Sequence, residues 1–129
     1  MSETILQKFL RYVAIDTQSD VTSQTFPSTA KQKELLALLA NELRAMGVPE
    51  VSMDEHGYVM ARIGANTAAA PPPIGFISHV DTSPEMPGCN VQPKIVEHYD
   101  GRDIVLNREK NIVLSPAAFP ELREYAGQT

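Results

Sequence analysis

The sequence predicts an α/β protein, and three observations carry that prediction. Two early stretches place apolar residues at helical spacing, and residues 51–63 alternate around a glycine turn. Residues 74–80 form a near-continuous apolar run, the habit of a strand buried on both faces of a sheet.

The elements follow in order. Ser2 is the expected N-cap of a first helix whose Ile5, Leu6, Phe9, Leu10 and Val13 make one apolar face, ending near Asp16. Residues 17–26 are polar and hydroxyl-rich and read as a loop. A second helix is expected over 29–46. Thr29 and Gln32 fit a capping box, and Leu35, Leu36, Leu39, Leu43 and Met46 form an apolar stripe. Gly47 supplies the left-handed position after the helix, and Pro49 blocks its continuation. Residues 51–63 read as a hairpin turning through Asp54-Glu55-His56-Gly57. Residues 64–73 (GANTAAAPPP) favour an extended surface loop. After the 74–80 run, Pro84, Pro87 and Gly88 make another loop. Short strands are expected at 94–98, 103–106 and 111–114, then a short helix over 118–126 stopped by Gly127.

Composition bounds the function. The chain has 129 residues with 11 basic and 16 acidic side chains, a net charge of −5. Neither half concentrates positive charge, so no nucleic-acid or anionic-membrane partner is expected. Cys89 is alone, which excludes an internal disulfide and a CxxC metal or redox pair. The first residues lack the basic and apolar regions of a secretion signal, and no apolar run approaches the roughly 20 residues that span a bilayer. A reducing, cytoplasmic setting is the expectation.

One mismatch is physical. A strand buried on both faces needs helices on both sides of its sheet, and a parallel crossover after residue 80 should bring a helix within about a dozen residues. The sequence offers none there, so part of the fold is expected to be missing from these residues.

Three histidines are candidates for chemistry. His56 sits in the expected hairpin turn and reads as solvated; His98 follows Glu97 in a polar stretch and reads as surface. Cys89 reads as an ordinary thiol, and the leucine stripe of 29–46 as core. His79 differs because it ends the apolar run, where open α/β sheets place their sites. Asp81, two residues on, shares its strand face. A carboxylate beside an imidazole serves two ends: it orients a metal-ligating histidine, or it satisfies a structural one. The HxD spacing alone leaves both open.

The surrounding residues narrow the choice. Ser78-His79-Val80-Asp81-Thr82-Ser83-Pro84, preceded by Ile74-Gly75-Phe76-Ile77, resembles the first metal-binding motif of the co-catalytic zinc peptidases of the M20 family. The flanking sequence is most similar to their tripeptide aminopeptidases. That likeness runs through Asp16–Ser19, Pro27–Thr29, Asn90–Glu97, Leu114–Pro116 with Phe119-Pro120, and Gly127–Thr129, which is essentially the whole chain. The resemblance implies the N-terminal part of a zinc-peptidase-like catalytic domain, with helices packed on a mixed sheet. It implies His79 as a zinc ligand and Asp81 as the catalytic aspartate that clamps the ligand's imidazole. It also implies two Zn2+ ions in a complete site and a tripeptide as substrate.

The departure from the family matters equally. No glycine-alanine-acid-acid run, paired glutamates or late histidine occurs here. The other ligands and the general base would fall beyond Thr129, so residues 1–129 are expected to form an incomplete catalytic domain with little or no activity. Two other readings stand beside this one: part of a related deacylase or carboxypeptidase, and a non-enzymatic domain that folds or self-associates through exposed core surface.

Overall fold

The computed structural model describes residues 3–69 and 71–129. Ser2, the expected first cap, and Ala70 of the 64–73 loop lie outside the described residues. The chain divides into two compact units, residues 1–92 and 93–129.

In the first unit, α1 spans Ile5–Tyr12 and α2 spans Gln32–Ala45. Thr4 caps α1: its hydroxyl accepts the Gln7 N–H, and the Gln7 side chain accepts the Thr4 N–H at 2.8 Å. The helix ends at Tyr12, well before Asp16, with Val13 as its C-cap. The apolar face of α1 does not build a core. Ile5, Leu6 and Phe9 are exposed, and no residue of the helix is buried. Its opposite, polar side reaches α2 instead.

That contact centres on Glu42. The carboxylate accepts hydrogen bonds from the Tyr12 hydroxyl, from Arg11 and from Lys8 Nζ at 3.1 Å. Arg11 also pairs with Glu3 at 2.7 Å and lies 5.2 Å from the centre of the Tyr12 ring. The Tyr12 hydroxyl above all, then Arg11 and Lys8, hold the Glu42 carboxyl down to about 2, although desolvation pulls the other way. Burial, reinforced by Glu42, pushes the Tyr12 phenol up.

The start of α2 departs from the expected capping box. The Thr29 hydroxyl donates to the Gln18 carbonyl at 2.8 Å, and the buried Gln32 amide donates to the Ser28 and Thr29 hydroxyls at 3.1 Å each. The demand of the 16–20 loop for donors outweighs the helix terminus, and the helix begins at Gln32 after a turn with Lys31 at the cap position. Its end is as expected. Gly47 (φ 83°) donates to Arg44 and Val48 to Leu43, the paired bonds of a Schellman motif.

Strands β1 (Glu50–Met53) and β2 (Val59–Arg62) form the expected antiparallel hairpin, with Val51 opposite Ala61 and Met53 opposite Val59. Asp54 organises the turn by accepting the His56 and Tyr58 N–H groups at 3.0 and 2.8 Å. Gly57 is favoured here by its backbone conformation. Its φ is 92°, and a Cβ there would stand 2.9 Å from Leu36 Cδ1, because α2 packs on this hairpin. Leu35 and Ala40 of α2 are buried. Lys33 Nζ adds a 2.7 Å bond to the Glu55 carbonyl.

The 74–80 run corrects the central expectation. It is irregular, pairs with no strand among the described residues, and leaves Phe76 96% exposed with Ile74 and Ile77 comparably open. A strand of this composition draws its stability from ladder partners and covering layers. The described residues provide neither: no helix occurs between residues 80 and 119. The mixed sheet is likewise replaced by two separate two-stranded antiparallel sheets. At the level of class, helices with strands, the prediction stands.

In the second unit, β3 (Ile104–Asn107) pairs antiparallel with β4 (Ile112–Leu114), with a bulge between Val105 and Asn107. A 3₁₀ helix covers Pro120–Tyr125 and gives way to Gly127 at φ 83°, tighter and shorter than the expected 118–126 helix. The expected 94–98 strand does not form. His98 takes φ 48°, which turns the chain, and the backbone of the buried Tyr99 pairs with Gly127 and Gln128 instead.

Glu42 sets a testable pH dependence. Its carboxyl is depressed on folding, so its contribution is complete above the ordinary value of 4.5 and is lost as pH falls through about 2. Glu42→Gln should cost about 2 kcal/mol at neutral pH in urea unfolding. The difference between wild type and variant should shrink steadily below pH 4.5. A difference that stays constant down to the acid limit would contradict the assigned role.

Candidate functional site

The residues around His79 and Asp81 are held from one side. Thr82 joins the 16–20 loop through an isolated parallel bridge: the Ser19 N–H donates to the Thr82 carbonyl at 2.9 Å, and the Thr82 N–H donates to the Thr17 carbonyl at 3.2 Å. The Ser19 hydroxyl donates to the same Thr82 oxygen at 2.9 Å. Thr17 is buried on one side of this junction, while Thr82 on the other is exposed. The two polar segments Asp16–Ser19 and Asp81–Pro84, 63 residues apart at the Ser19–Thr82 bond, therefore meet.

The turn after Thr82 is drawn onto the same loop. Gln18 Nε2 donates to the Pro84 and Met86 carbonyls, each at 3.0 Å. Asp16 accepts the Gln18 N–H at 3.0 Å and pairs with Lys31 Nζ at 2.9 Å. The Gln18 amide first, and Lys31 second, pull the Asp16 carboxyl below its ordinary value. Gly88 closes the turn, and a Cβ there would meet Asp16 Oδ1 at 2.5 Å and the Gln18 backbone N at 3.2 Å. Only glycine permits so close an approach.

Within this frame His79 Nδ1 lies 3.0 Å from Asp81 Oδ1. The imidazole is open to solvent, with the His79 side chain 85% exposed and that of Asp81 43%. With Nδ1 engaged, Nε2 is the ring nitrogen left for another partner. Asp81 can accept a proton-bearing Nδ1 and fix that tautomer.

The other candidates stay apart from this pair. His56 sits in the β1–β2 turn, half exposed, with its Nε2 3.6 Å from a Glu55 carboxylate oxygen. Cys89 is exposed. His98, in the second unit, donates its backbone N–H to the Thr129 hydroxyl at 3.1 Å. Among the described residues no three His, Cys, Asp or Glu side chains gather as a metal-binding group. Among the same residues no helix is long and apolar enough to cross a membrane.

Sequence reasoning missed Gln18, Lys31 and Gly88. The Pro-Gly step marked Gly88 as a loop former and the family likeness took in Asp16–Ser19, but neither gave Gln18 its role as a donor to two carbonyls. Gly88→Ala tests the closeness of this packing. It should destabilise the first unit by about 1 kcal/mol and perturb the Ser19 and Thr82 amide resonances. Unchanged stability and unchanged resonances would show that the turn does not rest on Asp16 and Gln18.

No family model matches the chain. Curated relatives do, over its length. It is 53% identical to peptidase T of Geobacillus thermodenitrificans over 129 residues, covering 100% of this chain and 31% of that protein. It is 54% identical to peptidase T of Alkaliphilus oremlandii, covering 98% of this chain and 32% of that protein. Against peptidase T of Listeria welshimeri it is 50% identical, covering 100% and 32%. The chain thus spans about a third of the length of the curated relatives it matches. From end to end, its sequence is similar to the N-terminal region of peptidase T.

Proposed function

We propose that these residues are the N-terminal portion of a dizinc, M20-type aminopeptidase that releases the first residue of tripeptides in the cytoplasm. His79 acts as a zinc ligand and Asp81 as the aspartate that orients it. The observation that carries this reading is the 3.0 Å His79 Nδ1–Asp81 Oδ1 hydrogen bond on a solvent-open imidazole. The half of the relatives' name that concerns peptide cleavage agrees with it.

The donor set fits part of a zinc site. An imidazole nitrogen is a good zinc ligand, and a carboxylate behind the ring is its usual support. When bound, zinc supplies Lewis acidity and an activated water for hydrolysis. Asp81 holds the Nδ1 proton and so keeps the Nε2 lone pair directed outward. The exposed Nε2 side leaves room for further ligands and for a peptide. Catalytic zinc takes three protein ligands per ion, and the described residues bring together this single histidine with its carboxylate. Residues 1–129 alone therefore bind at most one zinc, weakly, and have little or no peptidase activity.

A second reading has its own observation. Ile74, Phe76 and Ile77 form an exposed apolar stretch, which favours self-association of these residues by themselves. Self-association and zinc binding are separable by measurement.

Zinc titration by calorimetry is the test. Wild type should bind zinc, His79→Ala should abolish that binding, and Asp81→Ala should weaken it about tenfold. Wild-type affinity in His79→Ala would remove the basis of the reading.

A further inference from the structure

The geometry around Thr82 assigns Gln18 a role that the HxD motif does not contain: we infer that Gln18 is the positioning residue of the His79–Asp81 pair. The inference rests on the function proposed above and extends it to a residue outside the motif.

Gln18 is fixed through three of its polar groups. Its backbone N–H donates to Asp16 Oδ1 at 3.0 Å, and its carbonyl accepts the Thr29 hydroxyl at 2.8 Å. Both protons of its side-chain amide are committed, one to the Pro84 carbonyl and one to the Met86 carbonyl, at 3.0 Å each. An amide nitrogen facing two carbonyl oxygens has one chemically sensible orientation, with the donors toward them. The residues that anchor Gln18 are themselves braced: Asp16 by Lys31, and Thr29 by the buried Gln32.

Asp81 needs this clamp because the chain before it gives no support. Residues 74–78 are irregular and pair with no strand among the described residues. Asp81 is therefore oriented from its C-terminal side, by the Thr82 bridge and by the turn that Gln18 holds from Pro84 to Met86. The Thr82 bridge fixes one residue's backbone, and the following turn is held by Gly88 against Asp16 and by the two amide bonds of Gln18. Through Asp81, they set which nitrogen of His79 carries the proton.

Gln18→Ala removes both donors, and Gln18→Glu keeps the shape while facing a carboxylate toward two carbonyl oxygens. Gln18 lies outside the buried core, so helix content should stay at the wild-type value and the variants should remain folded with a small drop in unfolding midpoint. Two readouts report positioning. The ring-nitrogen chemical shifts of His79, measured where the imidazole is neutral, give the ratio of its tautomers. Amide hydrogen exchange at Ser19 and Thr82 gives the integrity of the junction. Gln18→Ala should move the tautomer ratio about twofold toward an even mixture and speed exchange at both amides about tenfold. Gln18→Glu should do more.

An unchanged tautomer ratio overturns the inference, whatever the exchange rates do, because faster exchange alone describes a structural brace. Zinc titration of the same variants separates this from the function itself. If His79→Ala retains wild-type zinc affinity, the metal reading fails, and the tautomer ratio still decides the role of Gln18.

Discussion

Two backbone hydrogen bonds, between the 17–19 segment and Thr82, begin a set of contacts that joins parts of the chain far apart in sequence. Everything near His79 depends on them. Beside them, Gly88 lies against Asp16 and the Pro84 and Met86 carbonyls lie within hydrogen-bond reach of Gln18. The cost of closing so long a loop grows only slowly with its length, so a few bonds suffice if their donors and acceptors are complete. Here they are completed by a relay of side chains. Lys31 holds Asp16, Asp16 holds Gln18, and Gln32 supports the Thr29 hydroxyl that caps the Gln18 carbonyl. A surface loop is thereby made into a scaffold.

The first unit uses polar groups where a small domain ordinarily uses apolar ones. α1 docks on α2 through Glu42 while its apolar face stays open, and the buried apolar residues of this unit, Leu35 and Ala40, lie on α2. The exposed Phe76 and its neighbours belong to the same pattern. Both faces carry the sequence signature of burial, periodic in α1 and continuous in 74–80, without a covering layer among the described residues. The strong local signals of these segments and their weak packing are in conflict.

Local chemistry explains what was legible in the sequence. The Schellman end at Gly47, the Asp54–Gly57 turn and the β3–β4 hairpin each depend on residues within a few positions, and each appears where the pattern put it. What depended on distant partners did not. The Thr29–Gln32 pair fits a capping box in isolation, but the Gln18 carbonyl captures the hydroxyl. Residues 74–80 fit a buried strand in isolation and find no ladder. The site divides the same way. His79 and Asp81 were visible from their spacing of two, and the geometry brings their side chains together. Gln18 was invisible, because its partners are backbone carbonyls more than 60 residues away, which leave no mark in residue type.

The central claim is that the His79–Asp81 pair is anchored from its C-terminal side alone. Residue-resolved amide hydrogen exchange across 74–82 tests it most directly. The account predicts clear protection at Thr82, matched at Ser19 across the bridge, and exchange at the rate of an unstructured peptide from Gly75 to Ser78. Protection from Gly75 to Ser78 equal to that of Thr82 would mean that a paired strand precedes His79, and would contradict it.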